Sequence, residues 1–104
     1  MKNEFPKYVN FYSSFESPTK LELKEFLENN GWKSRKESWE DFELTNDWCE
    51  LNLIADETKP LLKGTIKNPN TNYKNLINLL KKSGAKFSAE LYDEENVLIY
   101  NDKI

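Results

Sequence analysis

The amino-acid sequence predicts an α+β fold in the order β-α-β-β-β-α-β-β, with two helices on one face of an antiparallel or mixed sheet. Three observations carry this prediction. Two segments open on a polar residue followed by proline, at Ser17-Pro18 and Asn68-Pro69, and close on Gly31 and Gly84. Apolar residues recur at helical spacing between those marks. Elsewhere apolar and polar residues alternate in runs broken by Asn, Asp and Glu, the pattern of half-buried strands.

Taken in order, Tyr8 to Tyr12 is a first strand. A helix follows to about Asn30, with Ser17 as N-cap, Pro18 in the first helical position, and Leu23, Phe26 and Leu27 on the buried face. Glu40 to Thr45 and Trp48 to Ala55 flank Asn46-Asp47, which reads as a two-residue hairpin loop. Leu61 to Lys67 extends this meander. The second helix starts at Asn68-Pro69, carries Tyr73, Leu76, Ile77, Leu79 and Leu80, and ends at Gly84. Lys86 to Tyr92 and Val97 to Tyr100 form a last hairpin around Asp93-Glu94-Glu95-Asn96. Leu23, Phe26, Leu27 and Gly31 match Leu76, Leu79, Leu80 and Gly84 at identical spacing, so the order also reads as two βαββ units. Any two amphipathic helices that stop at glycine would align as well, and the spacing does not choose between these readings.

A chain of 104 residues, 38% hydrophobic and 13% aromatic, suits one domain, 1–104, with one modest core. No apolar run has the length of a membrane span or the character of a signal peptide, and Cys49 has no intramolecular disulfide partner. A cytoplasmic protein without membrane association is expected. The sequence contains no histidine, which removes imidazole acid–base chemistry, histidine-activated nucleophiles and histidine metal sites. One cysteine cannot build a zinc cage, the acids lack calcium-loop spacing, and the isolated Gly31, Gly64 and Gly84 form no phosphate cradle. No catalytic residue, cofactor or metal is expected, and the chain does not read as an enzyme.

Charge is sorted into blocks. Glu37 to Thr58 holds eight carboxylates and no base, whereas Lys59 to Lys86 holds seven lysines and no acid. A net charge of −3 therefore conceals a strongly acidic centre, and a field of one sign favours a partner of the other. The lysines of 59–86 read as a solvated helix face rather than a nucleic-acid patch, because the sequence pI is near 5.1 and no nucleic-acid motif is present.

Alternation sharpens the acidic block. With Asn46-Asp47 as the loop, Leu44 pairs with Cys49, Phe42 with Leu51, and Glu43 with Glu50. Phe42, Leu44, Cys49, Leu51 and Leu53 then face the core, with Cys49 as inert packing. Asp41, Glu43, Trp48, Glu50 and Asn52 face outward, joined by Trp39. A loop from Asp56 to Lys59 keeps Leu53 beside Leu62 and Cys49 beside Ile66, placing Lys63, Thr65 and Lys67 on the face of Glu50. Those lysines neutralise the acids as ordinary cross-strand pairs in one reading. In the other, opposed Glu43 and Glu50 beside exposed indoles mark a binding surface. Its expected residues are Trp39, Asp41, Glu43, Asp47, Trp48, Glu50 and Asp56, with Glu90, Asp93, Glu94 and Glu95 as a second acidic cluster.

In size, charge and general character the chain resembles bacterial immunity proteins of the polymorphic-toxin and contact-dependent growth inhibition systems. The resemblance spans the chain loosely and rests on no shared motif. It implies a stoichiometric antidote that occludes the active site of a basic toxin domain, a nuclease being favoured, through the acidic surface. A monomer with a basic protein partner is expected. A self-associating structural or regulatory module is the alternative, ahead of an enzyme using the Glu43 and Glu50 carboxylates and of a nucleic-acid binder using the lysines of 59–86.

Overall fold

The computed structural model describes residues 5–38, 41–55 and 59–104. Nine elements follow in order: β1 (Tyr8–Ser17), α1 (Lys20–Asn29), β2 (Lys33–Lys36), β3 (Phe42–Thr45), β4 (Cys49–Ala55), β5 (Pro60–Lys67), α2 (Pro69–Lys82), β6 (Lys86–Tyr92) and β7 (Leu98–Lys103). The strands form one sheet in the order β2-β3-β4-β5-β1-β6-β7, with every neighbouring pair antiparallel. The α+β class and the two helices on one face agree with the sequence reading, and the sheet is richer by one strand.

That strand is β2. Lys33-Ser34-Arg35-Lys36 carries no apolar residue, so alternation gave no signal for it. It pairs with β3 alone, along Lys33↔Thr45, Ser34↔Leu44, Arg35↔Glu43 and Lys36↔Phe42. An edge strand studded with cations resists pairing with a foreign strand.

β1 runs to Ser17, five residues past the expected end, because it is the central strand and pairs with both β5 and β6. Its Val9, Phe11, Ser13 and Phe15 are buried and the residues between them exposed. The longer strand displaces the helix start. Thr19, not Ser17, is the N-cap: its Oγ1 accepts from the Glu22 N–H at 3.3 Å, and Glu22 Oε1 accepts from the Thr19 N–H at 3.0 Å, a complete capping box. The Ser17–Pro18 peptide is cis. Asn68 does precede α2, but it sits in the left-handed region and caps through no side-chain hydrogen bond.

In an all-antiparallel sheet the order makes β1 parallel to β2, and β5 parallel to β6. α1 links the first pair and α2 the second, stepping in opposite directions across the sheet from strands of opposite direction. The two crossovers therefore share one hand, which places both helices on the same face. Leu23 and Leu27 of α1 and Tyr73, Leu76, Ile77 and Leu80 of α2 join the inward residues of the sheet in one core. Leu23 and Leu27 match Leu76 and Leu80 in burial, and Gly31 and Gly84 both take positive φ after their helices, at 92° and 79°. β1-α1-β2-β3 and β5-α2-β6-β7 share an element order, with β4 between them.

Candidate functional site

Both helices cover one face of the sheet and leave the other open. Alternation puts Tyr8, Asn10 and Tyr12 of β1, Glu43 of β3, Glu50 and Asn52 of β4, Lys63 and Thr65 of β5, and Glu90 and Tyr92 of β6 on that open face. Tyr8 and Tyr12 are among the large hydrophobic side chains left exposed, at 45% and 40%.

The β3–β4 hairpin turns one residue later than expected. The Asn46 N–H donates to the Cys49 carbonyl at 3.0 Å, and Asn46 Oδ1 accepts from the Trp48 N–H at 2.9 Å. This Asx turn makes Asn46 the first corner and Asp47-Trp48 the two loop residues. The register slides by two residues, so the paired residues Phe42 to Thr45 and Glu50 to Leu53 keep their predicted faces but change partner. Glu43 lies opposite Asn52, and Glu50 opposite Thr45. The expected Glu43–Glu50 opposition is therefore absent. Glu43 instead meets Arg35 of β2 at 2.9 Å, the strand that the sequence reading missed. The β4–β5 register is as expected, with Leu53↔Leu62 and Cys49↔Ile66.

Two more expected interface residues belong elsewhere. Trp48, a loop residue, folds back onto the core and meets buried Trp32 edge to face at a centroid distance of 5.8 Å. It is packing, not an exposed anchor. Asp41 precedes β3 and turns to the helix layer, where its Oδ1 lies 3.9 Å from the ammonium of buried Lys20. Glu50 and Asp47 remain exposed, and Glu50 has no ion-pair partner within 4 Å among the described residues. Trp39 and Asp56 lie outside the described residues. Cys49 is buried, and that burial pushes its thiol well above the ordinary range, with the Glu50 carboxylate adding to the effect.

The second acidic cluster divides by role. Asp93 Oδ1 accepts from the Glu95 N–H at 2.9 Å and the Val97 N–H at 3.0 Å, so Asp93 holds its own turn. Glu90 accepts from the Tyr92 hydroxyl at 2.7 Å, and this hydrogen bond, then burial, raises the phenol above its usual range. Glu94 and Glu95 stand exposed at the turn.

Strand order brings the two clusters together. Cys49 and Val9 both pair with Ile66, and Asn10 pairs with Tyr92. The β3–β4 and β6–β7 turns therefore lie at the same end of the sheet, separated by the end of β5 and the start of β1. Tyr8 sits between them, opposite Lys67, and lines a hollow of about 200 Å³ with Asn46, Glu50, Thr65 and Lys67. Tyr8 is the site residue that sequence reasoning missed, because only the insertion of β1 beside β5 brings it near Glu50.

The lysines of 59–86 do not form one field. Lys63 and Lys67 lie on the open face, while Lys74, Lys81 and Lys82 are exposed on α2 in the opposite layer. Among the described residues no group of three or more metal-ligating side chains occurs, and no helix is long and apolar enough to cross a membrane. No family, curated protein or solved structure matches the chain.

Proposed function

We propose that the chain is a stoichiometric binding protein of the immunity type, which neutralises a basic toxin domain, a nuclease being favoured, by covering its active site. The supporting observation is the convergence at one end of the sheet of exposed Asp47 and Glu50 with Glu94 and Glu95, around the exposed ring of Tyr8. Acidic groups at that end steer a basic partner, and a tyrosine ring supplies apolar contact and a plane for guanidinium stacking. Lys67 stands among these acids and limits the field.

Co-expression tests this reading. The chain is produced in cells together with the toxin domain encoded beside its gene, and survival is scored. Protection by the native chain and loss of protection by the Glu50→Lys/Tyr8→Ala variant, at equal soluble levels, supports the proposal. Protection by both chains, or by neither, rejects it.

A self-associating module is the second reading, favoured by β7. This strand is last in the sheet and exposes Leu98 at 44% and Tyr100 at 42%. Light scattering across a salt series separates the two: a monomer throughout removes the second reading.

A further inference from the structure

The two edges of the sheet are built differently. β2 closes one with Lys33, Arg35 and Lys36, charges that keep another strand away. Among the described residues β7 closes the other. An extra residue at Ile99 shifts the β6–β7 register, so the regular edge starts at Tyr100. From there to Ile104 the only cation is Lys103. Tyr100 is 42% exposed, and Leu98 and Val97 beyond it are 44% and 53% exposed.

Hydrogen bonds decide which main-chain groups of this edge are free to pair. The Ile104 N–H donates to the Phe87 carbonyl at 2.9 Å, continuing the register in which Ser88 faces Lys103. Bonded and non-bonded pairs alternate along an antiparallel ladder. Tyr100, Asp102 and Ile104 therefore turn their main-chain groups to β6, and Asn101 and Lys103 turn theirs outward. Pairing with a second copy of β7 about a two-fold axis must bond through those two residues, which allows registers centred on Asn101, Asp102 or Lys103. Centring on Asp102 opposes two carboxylates, and centring on Lys103 opposes two ammoniums; both are destabilising. Centring on Asn101 opposes no like charges. It sets each Tyr100 against Asp102 of the other copy, in the non-bonded pairs where cross-strand side chains lie closest. Asp102 suits this role: its Oδ2 accepts from the Tyr73 hydroxyl at 3.2 Å, which leaves Oδ1 for a second phenol.

We infer that two copies of this chain pair edge to edge through β7, antiparallel about a two-fold axis at Asn101, and join two seven-stranded sheets into one. Main-chain bonds between the two Asn101 residues make the centre of the contact, and reciprocal Tyr100–Asp102 hydrogen bonds flank it. The Tyr100 ring already packs against Tyr73 at 5.6 Å and Phe5 at 5.9 Å, so it loses little freedom on pairing. The inference rests on the self-associating reading given above and specifies its surface; the toxin reading is independent of it. An edge no longer than Tyr100 to Ile104 is a small interface, so a dissociation constant on the order of 100 μM is expected.

Sedimentation equilibrium of the full chain from about 10 μM to about 1 mM tests the inference. The native chain should pass from monomer to dimer across that range. Asn101→Pro deletes an outward N–H and no bond to β6, and Asn101→Lys opposes two ammoniums at the axis. Both variants should stay monomeric and keep the native circular dichroism spectrum. Disulfide formation reads the register, because Cys49 is buried. Asn101→Cys should oxidise to a covalent dimer at least about tenfold faster than Lys103→Cys, since only the first meets its own copy across the axis. A native chain that stays monomeric overturns both the inference and the self-associating reading. If that monomer binds the toxin domain and Asn101→Pro does not, the edge belongs to the toxin and the inference falls. A dimer that survives both Asn101→Pro and Asn101→Lys overturns the inference alone and puts self-association on another surface. Equal oxidation of the two cysteine variants overturns the register, and the inference with it.

Discussion

Gly64 lies in the core-facing register of β5, opposite buried Phe11 and Leu51. Its missing Cβ lets the backbone of β4 approach β5 at Glu50 and Leu51, and no rotamer change relieves a clash with main-chain atoms. Gly64→Ala is predicted to cost about 3 kcal/mol, at the upper end for adding one methyl group to a packed site. Urea unfolding should show this as a lower midpoint at an unchanged slope; a midpoint equal to that of the native chain contradicts the account. Cys49 is predicted to be inert. It is 2% exposed and its thiol is held protonated by burial, so a maleimide should label it only as fast as the chain unfolds. Rapid labelling under native conditions would show that β4 does not pack as described.

Among the elements, the junction of α1 with β2 has a pH dependence of definite sign. Glu28 accepts a hydrogen bond from the Ser34 hydroxyl of β2 and pairs with Lys24 one helical turn earlier at 2.9 Å. The hydrogen bond from Ser34, followed by that from Lys24, lowers the Glu28 carboxyl below its ordinary value. A depressed carboxyl stabilises the fold above its unfolded value, about 4.3, and the contribution disappears as pH falls through the folded value. The native chain should therefore exceed Glu28→Gln in urea midpoint at neutral pH, with the gap closing in acid. A gap that persists or widens at low pH would contradict this linkage.

The same scale shows what the sequence could convey. Helix α2 and strand β6 were legible to the residue at one or both ends, since proline, glycine and apolar spacing agree there. The inward faces of β3, β4 and β5 were legible too, because alternation survives a two-residue slide of the register. The slide itself was hidden in the choice of corner residue: Asn46 tolerates a loop position, yet its side chain bonds the Trp48 N–H and takes the first corner instead. Strand β2 was illegible because an all-polar edge strand carries no period in hydrophobicity. Its omission left Glu43 without Arg35, so an internal ion pair looked like an unpaired interface acid. Trp48 misled for a related reason. Alternation does not govern a loop residue, and its ring was free to turn onto Trp32.

For the molecule as a whole, the acidic block of 37–58 does not act as a block. Asp41 turns to Lys20, Glu43 pairs with Arg35, and Asp47 and Glu50 stay exposed at one end of the open sheet. What restores an acidic surface is topology: the order β4-β5-β1-β6 brings the β6–β7 turn to that same end, with Glu94 and Glu95. The central claim is that this end of the open face, and not the helix layer, receives the partner. Titration calorimetry of the toxin domain against three chains tests it most directly: the native chain, Glu50→Lys/Tyr8→Ala, and the helix-layer control Lys74→Ala/Lys81→Ala. Loss of a central anchor with reversal of an interface charge should weaken binding by roughly 4 kcal/mol, about a thousandfold, while the control binds as the native chain does. Native affinity in the open-face variant, or loss of affinity in the helix-layer control, would contradict the account.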